Sequence, residues 1–210
     1  MKRINAILPI LGLTVLLLNS CIEHEVIPPP IPQVELDCYF DGLVNNVPLT
    51  LTQNVGGVSG TAAKAQNIMP PPTFSSERYF FTMSSDQTPR SITVGLGSVF
   101  WDGATETQPT VSQFNNFHKN TLTPNFSNSA LNGFEVKYVD VLGNEWVSDE
   151  NSTNFQDVTF SNVKLEADAS GEYSLFDCTF DCYVYFTDPI TSNVDSMRVQ
   201  GTNLKGWFKR

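Results

Sequence analysis

A two-residue hydrophobic period constrains this chain more than any other feature, because it returns in one run after another. Cys178, Phe180, Cys182, Val184 and Phe186 alternate with Thr179, Asp181, Tyr183 and Tyr185. Successive side chains of a strand point to opposite faces, so this pattern calls for one buried face and one wet face. Ile92, Val94, Leu96 and Phe100 stand in the same way against Ser91, Thr93, Gly95 and Gly97. Leu36, Cys38 and Phe40 form a third run, and Asn45-Asn46 supplies the positive-φ pair of a tight hairpin before Val47, Leu49 and Leu51. A second hairpin is expected where Gly143-Asn144 separates residues 134–141 from Glu145-Trp146-Val147, with further strands at 78–83, 194–199 and 204–209.

The apolar parity changes between Tyr138 and Val139, and again between Phe160 and Val163; each change predicts a bulge or bend. These runs define an all-β domain over residues 34–210, a β-sandwich (Ig-like or jelly-roll-like) of about nine strands, with a lipocalin-like barrel as the alternative. One segment departs from the period. Thr110-Val111-Ser112-Gln113 reads as a capping box leading into Phe114, Phe117 and His118, which predicts one short helix. Two long loops stand out, 66–76 with Met69-Pro70-Pro71-Pro72, and 119–132.

At its start the chain reads as an address. Lys2 and Arg3 precede an apolar run at 7–18 that is interrupted by Pro9 and too short to span a bilayer, and Leu18-Asn19-Ser20-Cys21 follows. This looks like a lipobox, which gives a leader at 1–20 and makes Cys21 the lipidated N-terminus of the mature chain. Acylation there anchors the chain to a lipid bilayer without a spanning helix. Residues 21–33 carry four prolines and read as a semi-rigid stalk.

Composition narrows the function. A charged fraction of 16% beside 40% hydrophobic residues excludes a disordered chain. The formal charge of −10, with Lys and Arg scattered, gives no basic face for nucleic acid. Cys178 and Cys182 lie about 13 Å apart on one strand, beyond disulfide reach, so Cys38 pairs with Cys178 or with Cys182, or all three are buried thiols.

Catalytic groupings fail one by one. Gly57-Val58-Ser59-Gly60-Thr61 ends wrongly for a serine-hydrolase elbow, and His118 reads as a helix-face residue. The loop from Asp149 lacks the glycine of an EF-hand at its sixth position and carries Phe160 at the twelfth. No metal site and no cofactor is expected, and the chain reads as non-enzymatic. Aromatic residues are the better lead: Trp101 with Asp102, and Trp146, are expected on the sandwich rim, where an indole can stack on a sugar ring.

Lipobox, proline stalk and single all-β domain together resemble the small surface lipoproteins of Bacteroidetes-type bacteria, and the ending Val199-Gln200-Gly201 with Gly206-Trp207-Phe208 is similar to theirs. Glu23 and Glu25 resemble the acidic signal that sends such proteins to the outer face of the outer membrane; a periplasmic-face anchor is the alternative. Asp195-Ser196-Met197 resembles their O-glycosylation acceptor, which would modify Ser196. The resemblance implies a surface binding module, with glycans as the candidate ligand, or an accessory subunit bound to another envelope protein, and it carries over no active site. A fatty-acid analogue fed to cells should label the wild-type protein and leave Cys21→Ala unlabelled; equal labelling of both would refute the anchor.

Overall fold

Burying one face of every strand is achieved by folding a single antiparallel sheet over on itself. The computed structural model describes residues 32–127 and 133–210, and Pro32–Arg210 form one compact unit. Cys21, the leader and nearly all of the stalk lie outside the described residues, as do 128–132 of the second long loop.

The strands are β1 (Tyr39–Val44), β2 (Val47–Thr52), β3 (Val58–Asn67), β4 (Ser75–Ser85), β5 (Ser91–Trp101), β6 (Gly133–Val139), β7 (Glu145–Ser148), β8 (Asp157–Asp168), β9 (Gly171–Thr187) and β10 (Val194–Lys209), with helix α1 (Val111–Asn120) between β5 and β6. Their order is β2-β1-β10-β9-β7-β6-β5-β4-β3, and β8 also pairs with β9.

β9 makes the fold possible. One of its edges is taken by β10 over most of its length, while the other is shared by β8 (up to Asp181) and β7 (at Val184 and Tyr185). The sheet therefore divides there into two layers, β2-β1-β10-β9-β8 and β7-β6-β5-β4-β3. Aromatic side chains join them. Phe81 on β4 meets Phe176 on β9 and Trp207 on β10, at ring-centre distances of 6.0 and 4.8 Å. Phe134 on β6 meets Phe160 on β8 and Phe180 on β9, at 5.7 and 5.8 Å. Such ring pairs combine large buried area with favourable edge contacts.

The fold class is all-β, as the alternation requires. β2 and β3, the two ends of the sheet, share no ladder among the described residues, so the lipocalin-like barrel is not formed. Ten strands replace the expected nine or so: β3 is an addition, and 194–199 with 204–209 make one strand, β10, whose register shifts between Gly201 and Leu204. Asn45 and Asn46 take φ of 49° and 64°, forming the expected hairpin. Of the two expected bulges, one is present in β8, where the register shifts between Ser161 and Lys164 and Asn162 has φ 51°. The other is not, because β6 pairs regularly with β5 and Val141 lies beyond its end, exposed.

Helix α1 closes one side of the sandwich. Thr110 accepts a hydrogen bond from the Gln113 amide (3.2 Å) and its own amide donates to Gln113 Oε1 (2.8 Å), completing the capping box. His118 is 2% exposed, among Tyr79, Phe114, Phe117 and Phe208. Burial pushes its pKa from 6.5 down to about 3, against the hydrogen bond between Nδ1 and the Phe114 carbonyl, which favours the charged form.

A neutral His118 is thus compatible with the core and a protonated one is not. Its contribution to stability is complete above about pH 6.5 and is lost as pH falls toward 3. Between about pH 7 and pH 4 this loss is on the order of 3 kcal/mol. Melting temperatures should therefore drop less over that interval in His118→Leu than in the wild type; parallel curves would contradict the assignment.

Candidate functional site

Ser98 decides which aromatic residues meet solvent. In the β4–β5 ladder Arg78 pairs with Gly97 and Glu77 with Val99, so Ser98 is an extra residue on β5. An inserted residue exchanges the two faces of a strand beyond it. Ile92, Val94 and Leu96 face the core, as alternation requires, but beyond the bulge Val99 and Trp101 turn inward and Phe100 turns out.

The rim platform expected at Trp101 is therefore corrected. Trp101 is 1% exposed and its indole N–H donates to the Glu106 carbonyl at 3.0 Å, leaving no ring face open to a ligand. Trp146 is 8% exposed in β7, with its indole N–H donated to Asp140 (3.1 Å) and its ring against Phe186 (5.3 Å). The structure does not bring the two tryptophans together: Trp101 pairs with Ser75, Trp146 with Tyr138.

What the bulge builds instead is a cleft of about 400 Å³ lined by Phe74, Phe100, Asp102, Thr105, Glu106, Thr110, Gln113 and the buried Trp101. Phe74 is 60% exposed and Phe100 40%. Of the expected site residues, Asp102 lies in the cleft wall. The neighbouring Phe100 was assigned to the core by its parity, and Phe74 carries no strand signal.

Local structure fixes both walls. The loop after β5 folds back through Thr105 and Glu106 amides donating to the Asp102 carbonyl (both 3.1 Å), and Asp102 Oδ1 accepts from the Ala104 amide at 2.9 Å. On the other wall, Ser75 Oγ accepts from the Met69 amide (3.1 Å) and ties down the loop that carries Phe74. Gly103 lets the walls meet, since a Cβ there would lie 2.7 Å from Ser75 Oγ and 3.3 Å from the Met69 carbonyl oxygen. Gln113 Nε2 donates to the Phe100 carbonyl at 3.4 Å, joining α1 to the cleft floor.

Two other depressions lack this chemistry. A groove of about 520 Å³ over β8, β9, β10 and the segment before β1 is lined largely by charged groups, with Lys205 paired to Asp37 (3.3 Å) and the Asn162 amide donating to Asp177 (2.6 Å). A third, of about 350 Å³, lies beside the loop from Asp149. That loop's polar groups are engaged within its turn and with β9: Asp149 Oδ1 accepts from the Asn151 amide (2.9 Å), the Ser152 hydroxyl bonds the Tyr185 hydroxyl (2.7 Å), and Asn154 Nδ2 donates to the same hydroxyl (2.9 Å).

Cys38, Cys178 and Cys182 are free, buried thiols. Phe40 pairs with Leu204 and Leu204 with Cys178, so β10 lies between Cys38's strand and β9. Two ladder spacings place them about 10 Å apart, and a disulfide reaches only ~7 Å. Neither expected pairing of Cys38, with Cys178 or with Cys182, is made. Burial pushes the Cys38 thiol up to about 11, with Asp37 adding to the shift, and raises Cys178 and Cys182 also. Ser59 lies inside β3 rather than on an elbow, and Ser196 is exposed on β10.

No known protein family, curated protein or solved structure matches this chain.

The exchange of faces predicts opposite behaviour for two adjacent residues. Trp101→Ala should destabilise the fold by about 3 to 5 kcal/mol, as truncation of a buried aromatic does. Phe100→Ala should cost under about 1 kcal/mol. Chemical denaturation of both variants checks this, and equal losses would contradict the bulge.

Proposed function

We propose that this protein is a non-enzymatic, lipid-anchored binding module of the outer membrane, displayed at the cell surface, and that it holds glycans in the cleft between Phe74 and Phe100. The observation that carries this reading is the exposure of two aromatic rings in one cleft whose walls are fixed by backbone hydrogen bonds. Fixed aromatic surfaces beside polar groups suit a sugar, which offers an apolar ring face ringed by hydroxyls. The lipobox ending in Cys21 and the proline stalk support the anchored placement.

A second reading, an accessory subunit of an envelope assembly, is favoured by β3. This strand lies at one end of the sheet and is exposed over 63–67, where a strand from another protein could add to it. Copurification of a stoichiometric envelope protein, abolished by Ala65→Pro, would support that reading.

The glycan reading is tested with the full chain in detergent on a glycan array, followed by titration of the retained sugars. Phe74→Ala and Phe100→Ala should each weaken binding roughly threefold to tenfold, as loss of one stacking contact does, while leaving the melting temperature near wild type. Undiminished binding by both variants would remove the cleft as the site.

A further inference from the structure

The ionisable side chains that line the cleft are all of one sign. Asp102 and Glu106 are carboxylates, and no lysine, arginine or histidine lines it. Two cations do reach the loop that forms this wall, and both are committed elsewhere. Lys64 Nζ bonds Gln108 at 3.0 Å and lies 3.4 Å from the buried Glu77, while Arg210 donates to the Pro109 carbonyl (2.8 Å) and to Glu172 (3.0 Å).

The neutral polar groups of the cleft are committed too. Thr110 Oγ1 and Gln113 Oε1 serve the helix cap, and Gln113 Nε2 donates to the Phe100 carbonyl. The cleft is therefore poor in donors and supplied with acceptors. Asp102 is held in place through Oδ1 by the Ala104 amide, and its Oδ2 has no hydrogen-bond partner among the described residues.

A ligand that fits must donate. A protonated amine donates three hydrogen bonds, meets unlike charge on Asp102 and Glu106, and is attracted to the faces of exposed aromatic rings. An anionic sugar meets like charge with no cation to offset it, in a chain whose formal charge is already −10.

Resting on the glycan reading of this cleft, we infer that it selects sugars bearing a free, protonated amine, the N-unsubstituted amino sugars, over their N-acylated and their acidic counterparts. Phe74 and Phe100 supply the ring surface and Asp102 and Glu106 select the ammonium. Removing an acyl group from one nitrogen turns a neutral amide into a cation without altering the ring, so a matched pair of oligosaccharides isolates this choice.

The experiment titrates the full chain in detergent, in mildly acidic buffer, with the glucosamine hexamer and with the N-acetylglucosamine hexamer. An oligogalacturonate of similar length is the acidic control. The glucosamine hexamer should bind about tenfold more tightly than its N-acetylated form, and the oligogalacturonate should not bind. In the double variant Asp102→Asn, Glu106→Gln, whose sites are exposed, the preference should fall to within about twofold. Phe100→Ala should weaken glucosamine binding; if it binds as the wild type does, attraction is diffuse charge and the inference fails. Equal or tighter binding of the N-acetylated hexamer, itself weakened in Phe100→Ala, overturns the amine preference and leaves the glycan cleft standing. If none of the three sugars binds, the amine inference falls, while the glycan reading is decided by the array.

Discussion

Both layers of the sandwich bury their faces against one aromatic seam, and the space along that seam sets what every neighbouring position can hold. Phe81, Phe134, Phe160, Phe176, Phe180, Trp207 and Phe208 fill it, so the positions opposite them must be small. A Cβ added at Gly60 would lie 2.6 Å from Trp207, and one at Gly206 would lie 2.5 Å from Phe81. Interiors packed at near-crystalline density leave no slack for either. Helix α1 completes the enclosure, placing Phe114 and a neutral His118 over Tyr79 and Phe208.

The cleft follows from a local departure within that frame. Had β5 kept its alternation to the end, Phe100 would join the core and Trp101 would stand on the rim. One extra residue at Ser98 reverses this, burying the larger indole against the loop after β5 and leaving the phenyl ring where it meets solvent. The loop after β5 and the loop before β4 then close around Phe100 and Phe74, and Gly103 allows their approach. Chemistry at the rim is thus a consequence of register in the sheet.

Much of this was legible in the sequence, and the exceptions have physical causes. Strands with branched or aromatic residues on one parity, such as 176–184, announce themselves, as do the Asn45-Asn46 hairpin and the Thr110 capping box. β3 does not. Its core-facing positions opposite Phe81 and Trp207 are filled by Gly60 and Ala62, so the crowding that makes it a strand also erases its hydrophobic period. The β5 bulge is hidden for a related reason, since Gly95-Leu96-Gly97-Ser98 offers a single large side chain from which to read parity. Asp102, read from the sequence as the polar neighbour of an aromatic on the rim, lines the cleft, while the exposed aromatic beside it is Phe100 and not Trp101. Phe74 belongs to no strand and joins the cleft only through tertiary structure.

The central claim, that register at Ser98 turns Phe100 outward, is open to one direct measurement. Cys38, Cys178 and Cys182, the three thiols among the described residues, are buried, so in a Cys21→Ala background a cysteine introduced on β5 reports its own exposure against a silent background. Phe100→Cys and Val99→Cys, treated with a maleimide under native conditions and again after unfolding, compare adjacent positions on opposite faces. The account predicts rapid native labelling at position 100 and labelling at position 99 only on unfolding; native labelling at 99 with protection at 100 would contradict it.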